Sequence, residues 1–291
     1  MGLVTGRFAP SPTGPLHFGS VVTAVASWLS ARAQGGRWIL RIDDLDPPRE
    51  MAGAAAAIIH TVRALGLDWD GDVVFQSRRG AAYRSAVAAL AAARQVFPCA
   101  CTRAMTGARP YPGTCRAGIP PGRRTRALRV RVDGVPVTFD DAIQGTVVQD
   151  LQASCGDFVV QRADGYIAYH LAVAVDDAWS GVNEVVRGVD LIDSTPRQIH
   201  LQRLLGLPTP RYAHIPVVLG ADGAKLSKQT HAAPVLPAGA PAALFGALDF
   251  LGLAPPANLA AQPVTELLDW ALPRWSLAAA GVESRRYLPT A

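Results

Sequence analysis

The spacing of apolar residues near the amino terminus predicts a strand followed by a helix, and then a second strand followed by a second helix. Residues 3–9 predict a short strand, and apolar residues between about 17 and 34 recur at the spacing of one helix face. Residues 38–42 predict a second, buried strand, and Pro47 and Pro48 are typical of the start of a second helix. The order strand, helix, strand, helix predicts a doubly wound α/β domain.

The middle of the chain has a different pattern. Short strand-like runs near 128–132, 135–139 and 158–161 follow a predicted helix and indicate a β-rich insertion. The α/β pattern returns near residue 167, so we expect a Rossmann-like doubly wound parallel sheet split by this insertion. The predicted division is 1–96 for the first half of the sheet domain, 97–165 for the insertion, 166–235 for the second half and 236–291 for a short helical carboxyl-terminal region.

Composition argues against a disordered or membrane-spanning chain. Hydrophobic residues make up 49% of the 291 positions and charged residues only 18%, which is enough apolar material for a core. No apolar run reaches the roughly 18 residues of a membrane helix. The amino terminus also lacks a charged segment followed by an apolar export segment. We therefore expect a soluble, cytoplasmic protein without a membrane partner.

Positive charge is concentrated in one segment. The net charge is +5, yet eight arginines and no acid lie between Cys99 and Val132, so the rest of the chain is net acidic. The eight are Arg103, Arg109, Arg116, Arg123, Arg124, Arg126, Arg129 and Arg131. Such a cluster is typical of a surface that contacts nucleic acid, and an ordinary solvated face is the alternative interpretation.

Three of the four cysteines lie close together in the same segment. Cys99, Cys101 and Cys115 fall within 17 residues, whereas Cys155 stands apart. A cysteine cluster of this kind is more typical of a metal site than of a disulfide scaffold in a chain this long, although a structural zinc site needs a fourth ligand. Cys155 is interpreted as a small buried hydrophobic residue.

Two short motifs carry candidate chemistry. His17 and Gly19 lie at the predicted start of the first helix, after a strand and a proline-rich turn, where open α/β sheets bind phosphates. Lys225 and Lys228 are the only lysines among 28 basic residues, and they lie three positions apart beyond a glycine-containing turn. Flexible point charges on such a loop suit the neutralisation of a polyphosphate.

These motifs together resemble the signatures of class I aminoacyl-tRNA synthetases, and their wording resembles the glutamyl branch. The resemblance covers residues 7 to about 230. It rests on Arg7-Phe8-Ala9-Pro10-Ser11-Pro12-Thr13-Gly14 with His17-x-Gly19, on Arg41-Ile42-Asp43-Asp44-Leu45-Asp46, on Val186-Arg187-Gly188-Val189-Asp190 with Ser194-Thr195-Pro196, and on Lys225-Leu226-Ser227-Lys228.

Within that branch the chain resembles the glutamyl-Q tRNA(Asp) synthetase family. Only about 60 residues follow Lys228, whereas a helical anticodon-binding domain would need on the order of 100. The resemblance implies ATP-dependent activation of L-glutamate and its transfer to the queuosine base of tRNA(Asp). It also implies that Mg²⁺ accompanies ATP and that a structural zinc ion is bound. We expect a monomer.

The resemblance also assigns roles to individual residues. The glutamate-binding positions would be Arg7, Ala9, Ser11, Asp43, Tyr169 and Arg187. The ATP-binding positions would be His17, Gly19 and Lys228, and the catalytic ones His17, Lys225 and Lys228. The zinc ligands would be Cys99, Cys101, Tyr111 and Cys115. Asp43 stands where the family usually has Glu, and Gln229 stands where its last motif usually has Ser.

Two other functions remain open from the sequence. One is a truncated glutamyl-tRNA synthetase that charges a tRNA 3′ end. The other is a non-catalytic zinc-binding and RNA-binding module that has kept the fold. The position of labelled glutamate on tRNA separates the first from the preferred function, and glutamate-dependent pyrophosphate exchange separates the second.

Overall fold

A computed structural model describes residues 2–107, 110–220, 234–235, 239–282 and 285–287, with only the backbone described at Arg103 and at 285–287. Lys225, Lys228, Gln229 and Arg109 therefore lie outside the described residues or side chains. Within the described ranges, no helix combines the length and the apolar character needed to cross a membrane.

The amino-terminal part forms the predicted strand–helix–strand unit. Its elements are β1 (Thr5–Phe8), α1 (Phe18–Ala33), β2 (Arg37–Ile42), α2 (Ala54–Ala64) and β3 (Val74–Phe75). Strand β2 pairs in parallel with β1 on one side and with β3 on the other. His17 is the N-cap residue of α1, so the helix begins where the sequence pattern placed it.

The second part of the chain adds parallel strands beside this sheet. Its elements are α6 (Tyr169–Trp179), β9 (Glu184–Gly188), α7 (Thr195–Leu205), β10 (Arg211–Ile215) and β11 (Val217–Leu219). Strands β9 and β10 are parallel, and β9 lies beside β1, where the Asn183 amide N–H donates to the Thr5 carbonyl at 3.1 Å. The two hydrogen-bonded groups, β3-β2-β1 and β9-β10, thus lie side by side and together form the main sheet. The spatial order β3-β2-β1-β9-β10 confirms the predicted doubly wound parallel arrangement.

Strands of the insertion divide between two sheets. Between β3 and α6 the elements are α3 (Gly80–Ala92), β4 (Val96–Cys99), α4 (Arg103–Thr106), β5 (Ala127–Val130), β6 (Val137–Asp141), β7 (Gly145–Gln149), α5 (Leu151–Ser154) and β8 (Phe158–Gln161). Strands β4, β5 and β8 form a separate antiparallel sheet. The β6–β7 hairpin instead extends the main sheet, because β6 pairs in parallel with β10 at Asp141 and Tyr212.

Both faces of the main sheet are buried, as a parallel sheet requires. Along β2, Trp38, Leu40 and Ile42 belong to the core on one face and Ile39 to the core on the other. The first face is covered by α1 and by the carboxyl-terminal helices α8 (Ala240–Phe250) and α9 (Val264–Ala271). Residues 285–287 add a strand, β12, parallel to β11. Each large side chain buried in these cores contributes on the order of 2 kcal/mol to folding.

Candidate active site

A cavity of about 350 Å³ opens at the carboxyl ends of β1, β2 and β9 and at the start of α1. This edge of a parallel sheet is where open α/β folds bind ligands. The cavity is lined by all the described positions for which the sequence predicts glutamate or ATP contact, namely Arg7, Ala9, Ser11, His17, Gly19, Asp43, Tyr169 and Arg187. Residues far apart in the chain are thus brought to one site.

His17 is held against the first turn of α1. Its Nδ1 accepts the Ser20 backbone N–H at 3.3 Å, and its Nε2 lies 3.1 Å from the Ser20 hydroxyl. Because Nδ1 is an acceptor, the proton of the neutral ring sits on Nε2. A Cβ on Gly19 would lie only 3.2 Å from the ring, so glycine permits this close approach. The sequence pattern did not single out Ser20.

A buried network of charges forms the wall beneath β1 and β2. Arg41 is fully buried and donates to both oxygens of Asp43, at 2.6 and 3.3 Å, and to Asp177 at 2.6 Å. Arg7 lies 3.5 Å from the same Asp177 carboxylate. Burial raises the pKa of Asp177, but the guanidinium groups of Arg7 and Arg41 outweigh that effect and hold the pKa below its usual value. Sequence patterns assigned no role to Arg41 or Asp177.

Asp43 differs from Asp177 in its ionisation. Burial raises the pKa of Asp43 to about 6, because the charges of Arg41 and Arg7 only partly offset the loss of hydration. The carboxyl is therefore ionised at neutral pH but titrates in a range where an exposed aspartate would remain charged. The fraction of Asp43 that carries a negative charge therefore decreases as the pH falls toward 6 and below.

Two buried arginines, Arg7 and Arg187, line the cavity. Arg187 is buried and donates from Nη2 to the Thr195 hydroxyl at 2.7 Å, and its Nε meets Nε2 of His214 at 3.1 Å. Nη1 of Arg187 has no hydrogen-bond partner among the described residues, whereas Nε of Arg7 lies 3.5 Å from Oδ1 of Asp177 and forms an ion pair with it. Buried donors are rarely left unpaired, so the Arg187 guanidinium suits an anionic ligand such as a carboxylate. Tyr169, half-exposed at the start of α6, completes this side.

The three clustered cysteines come together with Tyr111. The sulfur atoms of Cys99, Cys101 and Cys115 all lie within 4.8 Å of one another, and the pair Cys101–Cys115 is 3.7 Å apart. The Tyr111 hydroxyl lies 3.5 Å from the sulfur of Cys99 and 3.8 Å from that of Cys101. Tetrahedral zinc with bonds of about 2.3 Å to sulfur and about 2.0 Å to oxygen has edges of roughly 3.5–3.8 Å. The Cys101–Cys115 distance and the two distances to the Tyr111 hydroxyl match those edges.

Charge around the cluster favours a metal-binding thiolate. Burial raises the pKa of Cys99, but hydrogen bonding with the Tyr111 hydroxyl, the Cys101 amide N–H and the Arg129 guanidinium outweighs it and brings the pKa to about 7. The Arg129 guanidinium contacts the Cys99 sulfur at 3.3 Å and covers the Tyr111 ring at 3.9 Å. Cys155, half-buried, lies outside the cluster, and its thiol contacts the Leu151 carbonyl at 3.3 Å.

The arginine-rich segment has two kinds of arginine. Arg116, Arg129 and Arg131 donate to the insertion's own backbone: Arg116 to the Val132 carbonyl, Arg129 to the Asp157 carbonyl at 2.7 Å and Arg131 to the Arg116 carbonyl at 3.1 Å. Exposed side chains line a groove beside the cysteine cluster, and they include Arg123, Arg124 and Arg126. The solvated-face interpretation therefore fits only part of the segment, since half of its described arginine side chains also support the fold.

Comparison with known proteins agrees with this geometry. Residues 3–108 and 122–236 match the family described as tRNA synthetases class I (E and Q), catalytic domain. A solved glutamate tRNA ligase from Elizabethkingia meningosepticum, in complex with its amino acid, has the same fold, with a TM-score of 0.81 and 24% sequence identity. That alignment covers 99% of this chain and 67% of the ligase.

Curated relatives are much closer in sequence. The chain is 56% identical over 280 residues to the glutamyl-Q tRNA(Asp) synthetase of Aromatoleum aromaticum, with 94% of this chain and 89% of the relative covered. It is 50% identical over 294 residues to that of Dechloromonas aromatica, with 98% of both chains covered. The chain therefore belongs to the class I tRNA synthetases of the E and Q type and, within them, to the glutamyl-Q tRNA(Asp) synthetase family.

Proposed function

We propose that this protein activates L-glutamate with ATP and transfers it to the queuosine base of tRNA(Asp). The observation that carries the proposal is the single cavity lined by Arg7, Asp43, Tyr169 and Arg187 on one side and by His17 and Gly19 on the other. An amino acid and a nucleotide bound there would meet above the start of α1. Membership of the glutamyl-Q family supplies the identity of the acceptor RNA.

Glutamate binding uses the opposite charges of the cavity wall. The guanidinium groups of Arg7 and Arg187 bind the carboxylate groups of glutamate, Arg187 through its unpaired Nη1, because a guanidinium matches a carboxylate in charge and geometry. Asp43 receives the ammonium group. Its side chain is one methylene shorter than the Glu usual at this position, and Arg41 holds both oxygens, so glutamate would sit closer to β2. Ala9, Ser11 and Tyr169 shape the rest of the pocket.

ATP would bind across the first turn of α1. Gly19 leaves room for the nucleotide beside the backbone, and the Nε2–H of His17 faces an oxygen acceptor and can donate to a phosphate instead of Ser20. Lys225 and Lys228 would neutralise the phosphates from the other side. Mg²⁺, bound with ATP, would further neutralise the leaving pyrophosphate. The attacking oxygen of glutamate forms a bond to the α-phosphorus as the bond to pyrophosphate breaks.

Transfer then needs little additional chemistry from the protein. A hydroxyl of the queuosine ring attacks the carbonyl of the glutamyl adenylate, and AMP leaves with the bonding electron pair. The mixed anhydride is already activated, so alignment of the hydroxyl with the carbonyl supplies most of the remaining rate enhancement. The sequence motifs name no general base for this step, and the hydroxyl proton would pass to the phosphate of the departing AMP or to water.

We also propose that the insertion binds the RNA and is held together by zinc. Cys99, Cys101, Tyr111 and Cys115 would hold the ion, which supplies a structural crosslink and no catalysis. The groove formed with Arg123, Arg124 and Arg126 would contact the phosphates next to the modified base. This assignment keeps residues 97–165 as an RNA-contacting module, although its β6–β7 hairpin extends the main sheet.

One experiment tests the proposed reaction. Protein is incubated with ATP, labelled glutamate and tRNA(Asp) that either contains or lacks queuosine, and the RNA is then digested with nuclease. We expect label on the queuosine nucleoside and none on RNA without queuosine. Label on the terminal adenosine would instead identify a glutamyl-tRNA synthetase activity. Absence of both label and glutamate-dependent pyrophosphate exchange would identify a non-catalytic module.

A further inference from the structure

Three buried side chains form a line that ends at the cavity wall. Asp141, at the end of β6, lies 2.5 Å from Nδ1 of His214 on β10, and Nε2 of His214 lies 3.1 Å from Nε of Arg187 on β9. His214 is completely buried, and the other two are at most 5% exposed. None of the motifs in the sequence includes Asp141 or His214. The arrangement connects the cavity arginine to a carboxylate that does not line the cavity.

Asp141 is fixed as an ionised acceptor. Its Oδ1 accepts the backbone N–H groups of Ile143, Gln144 and His214 at 3.0, 2.9 and 3.1 Å, which leaves Oδ2 for the imidazole. Burial raises the pKa of Asp141, but the bonds from His214 and Gln144 outweigh it and the pKa lies below its usual value. A carboxylate can only accept, so Nδ1 of His214 must carry a proton.

His214 is therefore neutral with a free lone pair on Nε2. Burial and the nearby charges of Arg187 and Arg7 lower its pKa, and Asp141 only partly opposes them. The other neighbours of the ring are uncharged: Tyr212 stacks at 6.1 Å, with the ring planes 12° apart, and Phe139 packs edge-on. The Nε2 lone pair accepts from Arg187, which donates from Nε and could not share a hydrogen bond with a protonated imidazole.

Three acceptors thus determine the plane of the Arg187 guanidinium. His214 accepts from Nε, and Nη2 donates to the Thr195 hydroxyl at 2.7 Å and to the Leu191 carbonyl at 3.3 Å. The Thr195 hydroxyl itself lies 3.1 Å from Nε2 of His214. The remaining nitrogen, Nη1, is buried and has no partner within the part of the chain that the structure describes. An arginine has many rotamers, and binding a carboxylate in one geometry requires that this freedom be removed beforehand.

We propose that His214, oriented by Asp141, is a positioning residue that holds Arg187 in the orientation that binds the carboxylate of the amino-acid substrate. This inference rests on the proposed function, because it takes glutamate as the ligand of Arg187. It adds a requirement for one tautomer of a histidine that does not touch the substrate. Loss of that tautomer weakens glutamate binding and leaves ATP binding intact.

Asp141→Asn tests the tautomer directly. The position of Oδ1 must stay an oxygen, because it accepts three backbone N–H groups, so the amide nitrogen replaces Oδ2. That nitrogen donates to Nδ1 and forces the imidazole proton onto Nε2, where it opposes the N–H of Arg187. In glutamate-dependent pyrophosphate exchange we expect the KM for glutamate to rise about ten- to a hundredfold, the factor for losing one hydrogen bond to a charged group, with the KM for ATP unchanged.

A pair of substitutions at His214 separates positioning from packing. Gln can place an oxygen where Nε2 was and accept from Arg187, whereas Asn can donate to Asp141 but cannot reach Arg187. We expect the KM for glutamate to rise less in His214→Gln than in His214→Asn, relative to the unaltered protein. Asp157→Asn is the matched control: Asp157 is also buried and accepts a backbone N–H, from Val132 at 2.9 Å, but it lies in the insertion. Its glutamate KM should not change.

Calorimetric titration of glutamate makes every outcome decisive. An unchanged glutamate Kd and KM in Asp141→Asn and His214→Asn would overturn the inference. So would KM values for glutamate and ATP that rise by the same factor in each variant, in proportion to its loss of thermal stability. If the unaltered protein binds glutamate but supports no pyrophosphate exchange, the proposed reaction fails, while the glutamate Kd of the variants still decides the role of His214. If it binds no glutamate, both proposals fail.

Discussion

Arg41 donates to both carboxylate oxygens of Asp43, at 2.6 and 3.3 Å, in the wall of the proposed glutamate pocket. Arg41 is completely buried and has no surface exposed to solvent. Asp43 nevertheless keeps a pKa of about 6, because burial costs more than the arginine charges return. The negative charge of the pocket should therefore disappear in mildly acidic solution.

Glutamate affinity should fall as the pH drops through about 6. Above that pH Asp43 is ionised and attracts the substrate ammonium group, whereas below it the protonated carboxyl carries no charge. We expect the KM for glutamate in pyrophosphate exchange to increase about tenfold for each pH unit below 6. Asp43→Asn should have a high KM that no longer varies in this range, and Asp43→Glu should keep the pH dependence. An unchanged pH profile in the Asn variant would assign the titration to another group.

Removal of Arg41 should destabilise the protein strongly. In Arg41→Leu the carboxylates of Asp43 and Asp177 remain buried without their main partner, which costs about 3–5 kcal/mol in the free energy of unfolding. Urea denaturation at pH 8 measures this loss. The loss should be smaller near pH 6 than at pH 8, because removing Arg41 raises the pKa of Asp43 further and lets the buried carboxyl become neutral. Arg211→Leu is the control, since that side chain is 64% exposed and 3.9 Å from Glu184, and its removal should cost less than about 1 kcal/mol.

Sequence patterns predicted the elements of the site better than the contacts that support it. The motifs around Arg7 and His17 lie where a strand passes into a helix, so local patterns sufficed to place them at the cavity. The partners of Arg41 and Arg187 could not be predicted in this way. Asp177 is 136 residues from Arg41, and Asp141 reaches His214 only because β6 joins the main sheet beside β10. Because the sequence pattern predicted that all strands of the insertion belong together, it did not predict the pairing of β6 with β10.

Zinc binding should depend on Tyr111 as well as on the cysteines. The Tyr111 hydroxyl lies in the cluster and also accepts the Cys115 backbone N–H at 2.8 Å. Tyr111→Phe removes one donor atom, so we expect zinc affinity to fall about tenfold or more in competition with a chelator. Cys115→Ser should lose the metal at lower chelator concentration still. Cys155→Ser should bind zinc normally, because Cys155 lies outside the cluster. Purified protein with no bound zinc would contradict the assignment of the site.

RNA binding should lose salt dependence when the groove loses its charge. Arg123, Arg124 and Arg126 are exposed and line one groove, so each can contact a phosphate without disturbing the core. Each phosphate contact that is removed should lower the slope of log affinity against log salt by about 0.7–0.9. The triple alanine variant should therefore bind tRNA(Asp) more weakly at low salt and converge with the unaltered protein at high salt. Arg32→Ala is the control and should leave the slope unchanged. Arg32 lies outside the insertion and pairs with Asp70 at 2.8 Å. If all variants keep the same slope, the RNA must bind elsewhere on the surface.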